Sequence, residues 1–416
     1  MQLTQSMATM PARRALADLA SNGVSVVARL SAGVVLFVAV GRFLGPQGFG
    51  EFVFSMAVGS LLAFFCGLGF NQQVLREVAA NPAKAQDIAD ALASARLLLS
   101  LCVFAASAVV AASIGGLGWV VCLFTLALMC DGAVEFLFAL MKAKGRYEIE
   151  ARFATLSSLG HFAFVGLVAY FSRNLLSIAA AFCFSRMVQL LMATIVLRTR
   201  LALPRLNSKA AVVASEIRAG WAYAFDAGLQ VAASQLDTIL VRMLLGAPAA
   251  GIYQAGMRVV VGFQNFSVVA GNVFVPRLTR SAQDRDAWQA VCRQSQRLYL
   301  VLACAGGLAV WALGWFVTRY GYGVEFASLQ DLWPWLAALM ALRMLGASYG
   351  IQLTALGAQS FRSLVNLAML LGIVVLILAA AHLGWGVMGV VAAMCVGSFF
   401  VLWAYRMRAR RLGETR

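Results

Sequence analysis

The chain alternates between apolar runs of about 20 residues and short segments that carry its charges. A run of this length matches an α-helix that crosses the hydrocarbon core of a bilayer. The pattern therefore predicts an all-α polytopic membrane protein with about twelve transmembrane helices and short linkers. The spans are expected near residues 19–40, 51–70, 94–113, 118–140, 153–171, 175–197, 219–243, 250–273, 296–317, 332–354, 363–381 and 385–405.

A repeat relates the two halves of this pattern. Leu44, Gly45, Gly50, Asn71 and Arg76 recur in the same order and spacing as Leu245, Gly246, Gly251, Asn272 and Arg277. The repeat predicts two like bundles of six helices, in residues 1–200 and 219–416, joined by a cytoplasmic linker at 201–218. Because glycine accepts backbone conformations that other residues avoid, the segments GPQGFG and GAPAAG are expected to form tight turns. Their glycines are the predicted hinges: Gly45, Gly50, Gly246 and Gly251.

The basic residues are distributed unevenly between the loops. The formal net charge is +16, and most of the 33 lysines and arginines lie in every second loop. By the positive-inside rule this places both termini in the cytoplasm, so the two bundles would be parallel rather than inverted repeats. The positive charge is then a topology signal and a contact to anionic membrane lipids, and no nucleic-acid partner is expected.

Composition excludes an ordinary soluble protein. The chain is 62% hydrophobic and 12% charged, whereas soluble domains carry about 25% charged residues. No extramembrane segment is long enough to hold its own core, so the chain is not expected to be an enzyme. The eight cysteines are scattered and are interpreted as packed apolar residues. With two histidines, neither a transition-metal site nor another cofactor is expected.

Polar residues inside three spans follow the period of a helix. They are Asn22, Ser25 and Arg29 in span 1; Asp226, Gln230, Ser234 and Asp237 in span 7; and Gln254, Arg258, Asn265 and Asn272 in span 8. Spans 1 and 7 are equivalent in the repeat, so their polar faces are expected to line one shared central cavity.

Further charges lie singly or in pairs in other spans. Burying each charge is costly, so each needs a partner or water. Arg343, like Arg29 and Arg258, is interpreted as lining a water-filled cavity, and Arg186 lies one turn from a glutamine. Asp131 and Glu135 fit either a coupling-ion site or the partners of buried arginines. Arg96 is expected either to form an ion pair between helices or to extend its charged end to the membrane interface. His161 is expected to pack inside the protein.

Two phrases in the sequence resemble a known family. GRFLGPQGFGEFVFSMAVGS with LGFNQQVLREVA, and QLDTILVRMLLGAPAAGIYQAGMRVV in the second half, look like segments of the bacterial polysaccharide transporters. These are the O-antigen and exopolysaccharide flippases of the multidrug/oligosaccharidyl-lipid/polysaccharide (MOP) exporter superfamily. The second phrase includes Asp237 before the turn and Gly251 and Tyr253 after it.

The resemblance implies a V-shaped cavity between two six-helix bundles. It also implies export of undecaprenyl-pyrophosphate-linked oligosaccharide units across the bacterial cytoplasmic membrane. Polysaccharide polymerases and glycosyltransferases of the same pathway would be partners. In such a cavity the phosphates would be bound by Arg29, Arg258, Arg186 and Arg343. Polar contacts to the sugar would come from Asn22, Ser25, Gln230 and Asn265. Sugar contact or ion coupling would fall to Asp226, Asp237, Asp131 and Glu135.

Three alternatives remain open from the sequence. A MATE-like multidrug or cation antiporter would favour acids and aromatics in its cavity, whereas buried arginines here are at least as numerous as buried acids. A membrane polysaccharide polymerase or ligase would need a longer outward loop than residues 318–331. A lipid-scrambling or structural protein would not need polar stripes in both halves.

Overall fold

The computed structural model describes the backbone of residues 12–80, 82–143, 147–200, 204–206 and 209–414. Side chains are described from Gly33 onward, apart from short stretches, one of which includes Asp226. The predicted site residues Asn22, Ser25, Arg29 and Asp226 therefore lie outside the described side chains.

The described chain is helical and contains no strand, which confirms the predicted all-α fold. Ten of its segments are long and apolar enough to cross a membrane. This set counts Gly33–Val78 as one segment and omits the helix that begins at Ala210. The helices are α1 (Ala12–Gly67), α2 (Phe70–Ala80), α3 (Ala85–Ile114), α4 (Gly116–Ala143), α5 (Tyr147–Ser172), α6 (Leu175–Arg200), α7 (Ala210–Leu245), α8 (Ala247–Ser281), α9 (Arg285–Phe316), α10 (Trp333–Ala355), α11 (Gln359–His382) and α12 (Gly386–Glu414).

Helix α1 is a hairpin of two membrane-length arms. Its helical geometry is interrupted at Gly45 (φ 66°, ψ 177°), and the rings of Phe37 and Phe52 are 5.7 Å apart. An uninterrupted helix would separate these residues by about 22 Å. With the two arms of α1 and with α7, the described helices agree with the twelve predicted spans.

The same turn joins α7 to α8. Gly246 has φ 91° and ψ 174°, so the repeat seen in the sequence is also present in the backbone. The predicted tight turns are shorter than expected, however. Each break is a single glycine, and Gly50 and Gly251 already lie within helices. Proline helps the helix restart at once, because its fixed φ suits a first helical turn; Pro46 follows the first break directly.

Each half has one central helix. In the first half α4 packs against α1, α3 and α6, and in the second half α10 packs against α9 and α12. The aromatic core of the first half is continuous from α1 to α6: the Phe52 and Phe124 rings are 5.1 Å apart, and those of Phe124 and Phe182 5.4 Å. Between the halves, α1 packs extensively against α8.

The predicted outward loop at residues 318–331 is an ordered segment. It forms a π turn (Val317–Tyr322) and a 3-10 helix (Val324–Leu332) on either side of Gly323. Tyr322 and Phe326 pack against Phe49 of α1, with ring centroids 6.2 and 6.3 Å away. The segment therefore links the second half to the first.

The two halves meet closely at the end that contains Gly45 and Gly246, which we call the turn end. A Cβ atom on Gly50 would lie 1.8 Å from the carbonyl oxygen of Ala247, and one on Gly251 would lie 2.1 Å from that of Pro46. We call the contact of these four residues the glycine seam. Only residues without a side chain allow two backbones to approach this closely. The seam closes the turn end in this structure.

Polar contacts at the turn end also connect the halves. Arg242 of α7 forms an ion pair with Glu51 of α1 at 3.1 Å. Arg42 donates a hydrogen bond to the carbonyl oxygen of Tyr320 at 2.6 Å. Both contacts must break if the halves separate at this end.

The first half also contacts α7 at the opposite end. Gln73 of α2 donates a hydrogen bond to Glu216 at 2.7 Å. Burial raises the pKa of Glu216, and the nearby Glu77 raises it further. The backbone N–H of Arg205 donates to Asp90 at 2.8 Å. Helix α7 begins at Ala210, inside the predicted linker 201–218.

Candidate functional site

Polar side chains of the second half surround a cavity of about 600 Å³, which we call the C-half cavity. Helices α7, α8, α10 and α11 form its walls. Its charged lining residues are Asp237, Arg258, Arg343 and Arg362, and Gln230, Gln254 and Gln264 add amide groups.

The carboxylate of Asp237 is already engaged. The hydroxyl of Tyr253 donates a hydrogen bond to one carboxylate oxygen at 2.6 Å. The backbone N–H and the hydroxyl of Thr238 donate to the other oxygen at 2.6 and 3.1 Å, and Gln254 donates to that hydroxyl in turn. Asp237 is 8% exposed. These donors satisfy most of the negative group, as a buried charge requires.

The direct hydrogen-bonding and stacking partners of the three arginines in the C-half cavity are neutral. The guanidinium of Arg258 lies over the ring of Phe37, 3.8 Å from its centroid. Arg343 donates to Gln264 at 3.2 Å, and Arg362 donates to side-chain oxygens of α10 and α11. Within the described side chains, no carboxylate lies within salt-bridge distance of any of the three. The described charges of the cavity are therefore net positive, which suits an anion.

The first half contains a second polar cavity of about 470 Å³, the N-half cavity. Arg186 of α6 forms an ion pair with Asp131 of α4 at 2.7 Å, and it also donates to Gln189 at 2.7 Å. Glu135 lines the same cavity and accepts a long hydrogen bond of 3.4 Å from Asn71. Lys142 lines it as well. Asp131 is thus the partner of a half-buried arginine, whereas Glu135 has no ion pair among the described side chains.

Arg96 is buried beside the N-half cavity. It is 7% exposed, donates to Asn71 at 3.4 Å and lies 5.8 Å from the centroid of the Phe136 ring. A Cβ on Gly132 would meet its guanidinium. Arg96 therefore neither snorkels nor forms an ion pair within the described part of the chain, and its surroundings are those of a packing residue.

The predicted site residues are divided between the two cavities. Arg258, Arg343, Gln230 and Asp237 line the C-half cavity, and Arg186, Asp131 and Glu135 line the N-half cavity. Asn265 lies on α8, but its amide donates to the carbonyl oxygen of Val261 at 3.0 Å, and the adjacent Gln264 lines the cavity instead. The described side chains thus form two separate clusters rather than a single shared one.

Arg362 is a charged residue of the C-half cavity that the sequence analysis missed. It precedes the predicted span 363–381 and was therefore expected in a loop, but in the structure it follows Gln359, the first residue of α11, by three positions. Its guanidinium reaches along α11 into the C-half cavity. The signal available in the sequence was its place directly before an apolar run, from which a long side chain can reach along the helix.

The remaining expectations concern histidine and cysteine. His161 packs as predicted: it is 3% exposed, and its ring centroid is 4.4 Å from that of Phe182. Most cysteines are buried or half-buried, but Cys102 and Cys304 are exposed. The described residues contain no group of side chains that could hold a metal ion.

The family model described as "Polysaccharide biosynthesis protein" matches residues 15–282 of the chain. The chain belongs to this family. The match covers the first half from residue 15 and continues through α8, so it includes both glycine turns and the seam. No curated protein has a sequence that matches the chain.

Solved structures of the MOP superfamily share the fold of this family member. The lipid II flippase MurJ in an inward closed conformation superimposes with a TM-score of 0.76 at 10% identity, over 94% of this chain and 87% of MurJ. A multidrug-resistance MATE transporter in an inward-facing conformation gives 0.69 at 15% identity, over 94% and 99% of the two chains. A MOP transporter from Pyrococcus furiosus, described as having a binding pocket of reverse polarity, gives 0.57 at 14% identity, over 94% of each chain.

These comparisons confirm the predicted family and the MOP-like fold of membrane transporters. They also agree with the expectation that the chain is not an enzyme. The orientation of the termini and the domain bounds stay predictions.

Proposed function

We propose that this member of the polysaccharide biosynthesis family is a flippase. It would move undecaprenyl-pyrophosphate-linked oligosaccharides across the bacterial cytoplasmic membrane, for O-antigen, capsule or exopolysaccharide synthesis. The observation that carries the proposal is the charge of the C-half cavity: three arginines face a single described carboxylate, which is already bonded by Tyr253 and Thr238.

A pyrophosphate needs such a cavity to cross the membrane. The hydrocarbon core is about 30 Å thick and offers the anion no hydrogen bonds. Guanidinium groups replace its water with charge-assisted, often bidentate hydrogen bonds. Arg258 and Arg343 would bind the phosphates, and Arg362 would join them. Gln230 and Gln264 would contact sugar hydroxyls, which are neutral donors and acceptors.

Transport would proceed by alternating access. In this structure the glycine seam and the Glu51–Arg242 ion pair hold the turn end closed. The positive-inside rule predicts that this end faces the outside of the cell, so the substrate would enter from the cytoplasmic side. Separation of the seam would then expose the cavity to the outside. The glycine turns at Gly45 and Gly246 are proposed to flex during this movement.

A MATE-like cation antiporter is the second candidate, and the N-half cavity is the observation that favours it. Asp131 and Glu135 line this cavity, and MATE transporters are among the fold neighbours. Arg186 neutralises Asp131, however, and Lys142 lies in the same lining. The described charges of the N-half cavity are balanced and do not form an acidic site for an organic cation.

The proposal is tested with purified protein in liposomes that contain a fluorescent polyprenyl-pyrophosphate oligosaccharide in one leaflet. A membrane-impermeant quencher reports the fraction that crosses. Arg258→Gln removes one guanidinium, and a hydrogen bond to a charged group contributes about 1.5–3 kcal/mol. At 1.4 kcal/mol per tenfold change, flipping should slow by about 10- to 150-fold.

Arg408→Gln is the matched control. Arg408 is exposed near the end of α12, where it stacks on Phe361 at 5.6 Å and does not line the cavity. Flipping at the wild-type rate by this variant, together with the loss in Arg258→Gln, supports the proposal. Equal rates in both variants, or no movement in the wild type, contradict it.

Partners of the pathway follow from the proposed function. A flippase would receive its lipid-linked sugars from membrane glycosyltransferases and deliver them to a polysaccharide polymerase. No resident cofactor is needed for this movement.

A further inference from the structure

A third cavity, also of about 470 Å³, lies between α5 and α6, beside the N-half cavity. Its walls are apolar and partly exposed: Leu156 is 73% exposed, Phe184 59% and Met192 50%. These helices cross the membrane, so the cavity opens toward lipid. We call it the α5–α6 groove.

The wall between the groove and the N-half cavity is one side chain thick. Gln189 lines both cavities. Its amide donates to Ser157 of α5 at 3.1 Å, and its oxygen accepts from Arg186 at 2.7 Å. Movement of Gln189 away from Ser157 would join the lipid-facing groove to the polar cavity.

Polar side chains lie at the base of the groove, at a depth where the lipid chains offer no hydrogen-bond partner. His161 lies 14 positions after Tyr147, about 21 Å along α5. Nδ1 of His161 contacts the hydroxyl of Ser185, whereas Nε2 is buried and has no hydrogen-bond partner. Because an unpaired polar atom in hydrocarbon is costly, a surface that only packs against lipid chains would not be expected to keep this group. The base of the groove suits a ligand that brings polar atoms to this depth.

We propose that α5 and α6 form a lateral gate for the lipid-linked substrate. Its prenyl chain lies in the α5–α6 groove, and its pyrophosphate passes between the two helices to reach Arg186. The inference rests on the proposed function. It extends that function by assigning an entry path and a latch, the Gln189–Ser157 hydrogen bond.

The depth of the groove favours the transported lipid over a resident phospholipid. A resident phospholipid keeps its phosphate at the interface, about 15 Å from the membrane centre. Arg186 lies 11 positions after Leu175, about 16 Å along α6, and only a lipid in transit carries its phosphate to this depth. Arg186 has an unpartnered Nε, so it can accept a further anionic ligand while it remains paired with Asp131.

Two variants test the gate without touching the C-half cavity. Val188→Trp fills the groove from its lipid side, because Val188 lines the groove and is 37% exposed. Leu191→Trp is the control, because Leu191 lies on the same helix, is 58% exposed and does not line the groove. Val188→Trp should reduce flipping to the background of protein-free liposomes, whereas Leu191→Trp should flip like the wild type.

Photolabelling identifies the occupant independently of transport. A photoreactive polyprenyl pyrophosphate should label peptides of α5 and α6, and Val188→Trp should abolish the label. Photoreactive phosphatidylglycerol should label these peptides weakly and should be displaced by unlabelled polyprenyl pyrophosphate. Phospholipid labelling that polyprenyl pyrophosphate does not displace would overturn the proposal.

The outcomes separate the gate from the flippase itself. A wild type that flips, with Val188→Trp equally active or with the label outside α5 and α6, refutes the gate and leaves the proposed function intact. A wild type that does not flip the lipid refutes both. Poor folding of Val188→Trp would be recognised from its elution as aggregate. In that case Gln189→Ala, which removes the latch, decides the question. The gate predicts an altered flipping rate for this variant, and an unchanged rate opposes the gate.

Discussion

The glycine seam gives the sharpest prediction about transport. In Gly251→Ala the new Cβ would lie 2.1 Å from the carbonyl oxygen of Pro46, whereas ordinary contact begins at 3.4 Å. The α1 and α8 backbones must therefore separate by about 1.3 Å. Overpacking of this kind costs about 1–3 kcal/mol. The cost applies only while the turn end is closed, so the variant should favour the open state by about 5- to 150-fold.

Electron–electron distance measurements can detect this shift. Spin labels at Ile114 and Val324 report on the two halves at the turn end, because these residues are 67% and 90% exposed. The native cysteines are replaced by alanine beforehand. In Gly251→Ala a longer distance should gain population relative to the parent distance by this factor.

Gly372→Ala is the matched control, because a Cβ at this position would meet no atom within 4 Å. Its distribution should equal that of the parent. If Gly251→Ala also leaves the distances unchanged, the seam does not hold the turn end closed, and the assignment of this end as a gate fails.

Three further predictions concern polar contacts. Exchanging the charges of Glu51 and Arg242 should restore the stability that either single reversal removes. Because the ion pair is partly exposed, a double-mutant cycle on thermal unfolding should give a coupling free energy of about 0.2–1 kcal/mol. No coupling would mean that the ion pair does not link the halves. Tyr253→Phe removes a hydroxyl donor from buried Asp237, so the free energy of unfolding should fall by about 1.5–3 kcal/mol; an unchanged thermal midpoint would show that the carboxylate does not depend on this donor. Burial raises the pKa of Glu216, so its contribution to stability is present at low pH and is lost as the pH rises through the raised pKa. Glu216→Gln should therefore flatten the fall of the thermal midpoint across that range, and an unaltered pH profile would contradict this sign.

The repeat was predictable because the same physical requirement occurs twice. A chain that reverses between two membrane helices with a single residue needs a positive φ, and only glycine adopts it at low cost. Gly45 and Gly246 stand at these positions, and an apolar run of membrane-spanning length lies on each side of both. Spacing therefore predicted the twelve spans and the location of both turns.

The assignment of polar residues to cavities was less predictable. Helical periodicity shows which residues share a face, but the neighbour of that face depends on tertiary packing. Asn265 follows the polar stripe of span 8, yet it bonds its own helix, and Gln264 lines the cavity. Arg362 appeared to be a loop charge because periodicity cannot show how far a long side chain reaches.

The close contact of Gly50 with the second half was also hidden in the sequence. Its role as a hinge was inferred from glycine content, whereas the structure places it in backbone contact with Ala247. Sequence spacing identified the residue and not its partner, because the contact joins two segments that are distant in the chain.

The charge preference of the transporter is the most direct test of the account. Wild-type protein in one liposome preparation is offered a fluorescent polyprenyl-pyrophosphate oligosaccharide and, separately, a fluorescent organic cation. Because the C-half cavity holds three arginines and one engaged carboxylate among its described side chains, the lipid-linked anion should cross the membrane and the cation should stay at the background of protein-free liposomes. Transport of the cation without movement of the lipid would contradict the account and identify a cation antiporter.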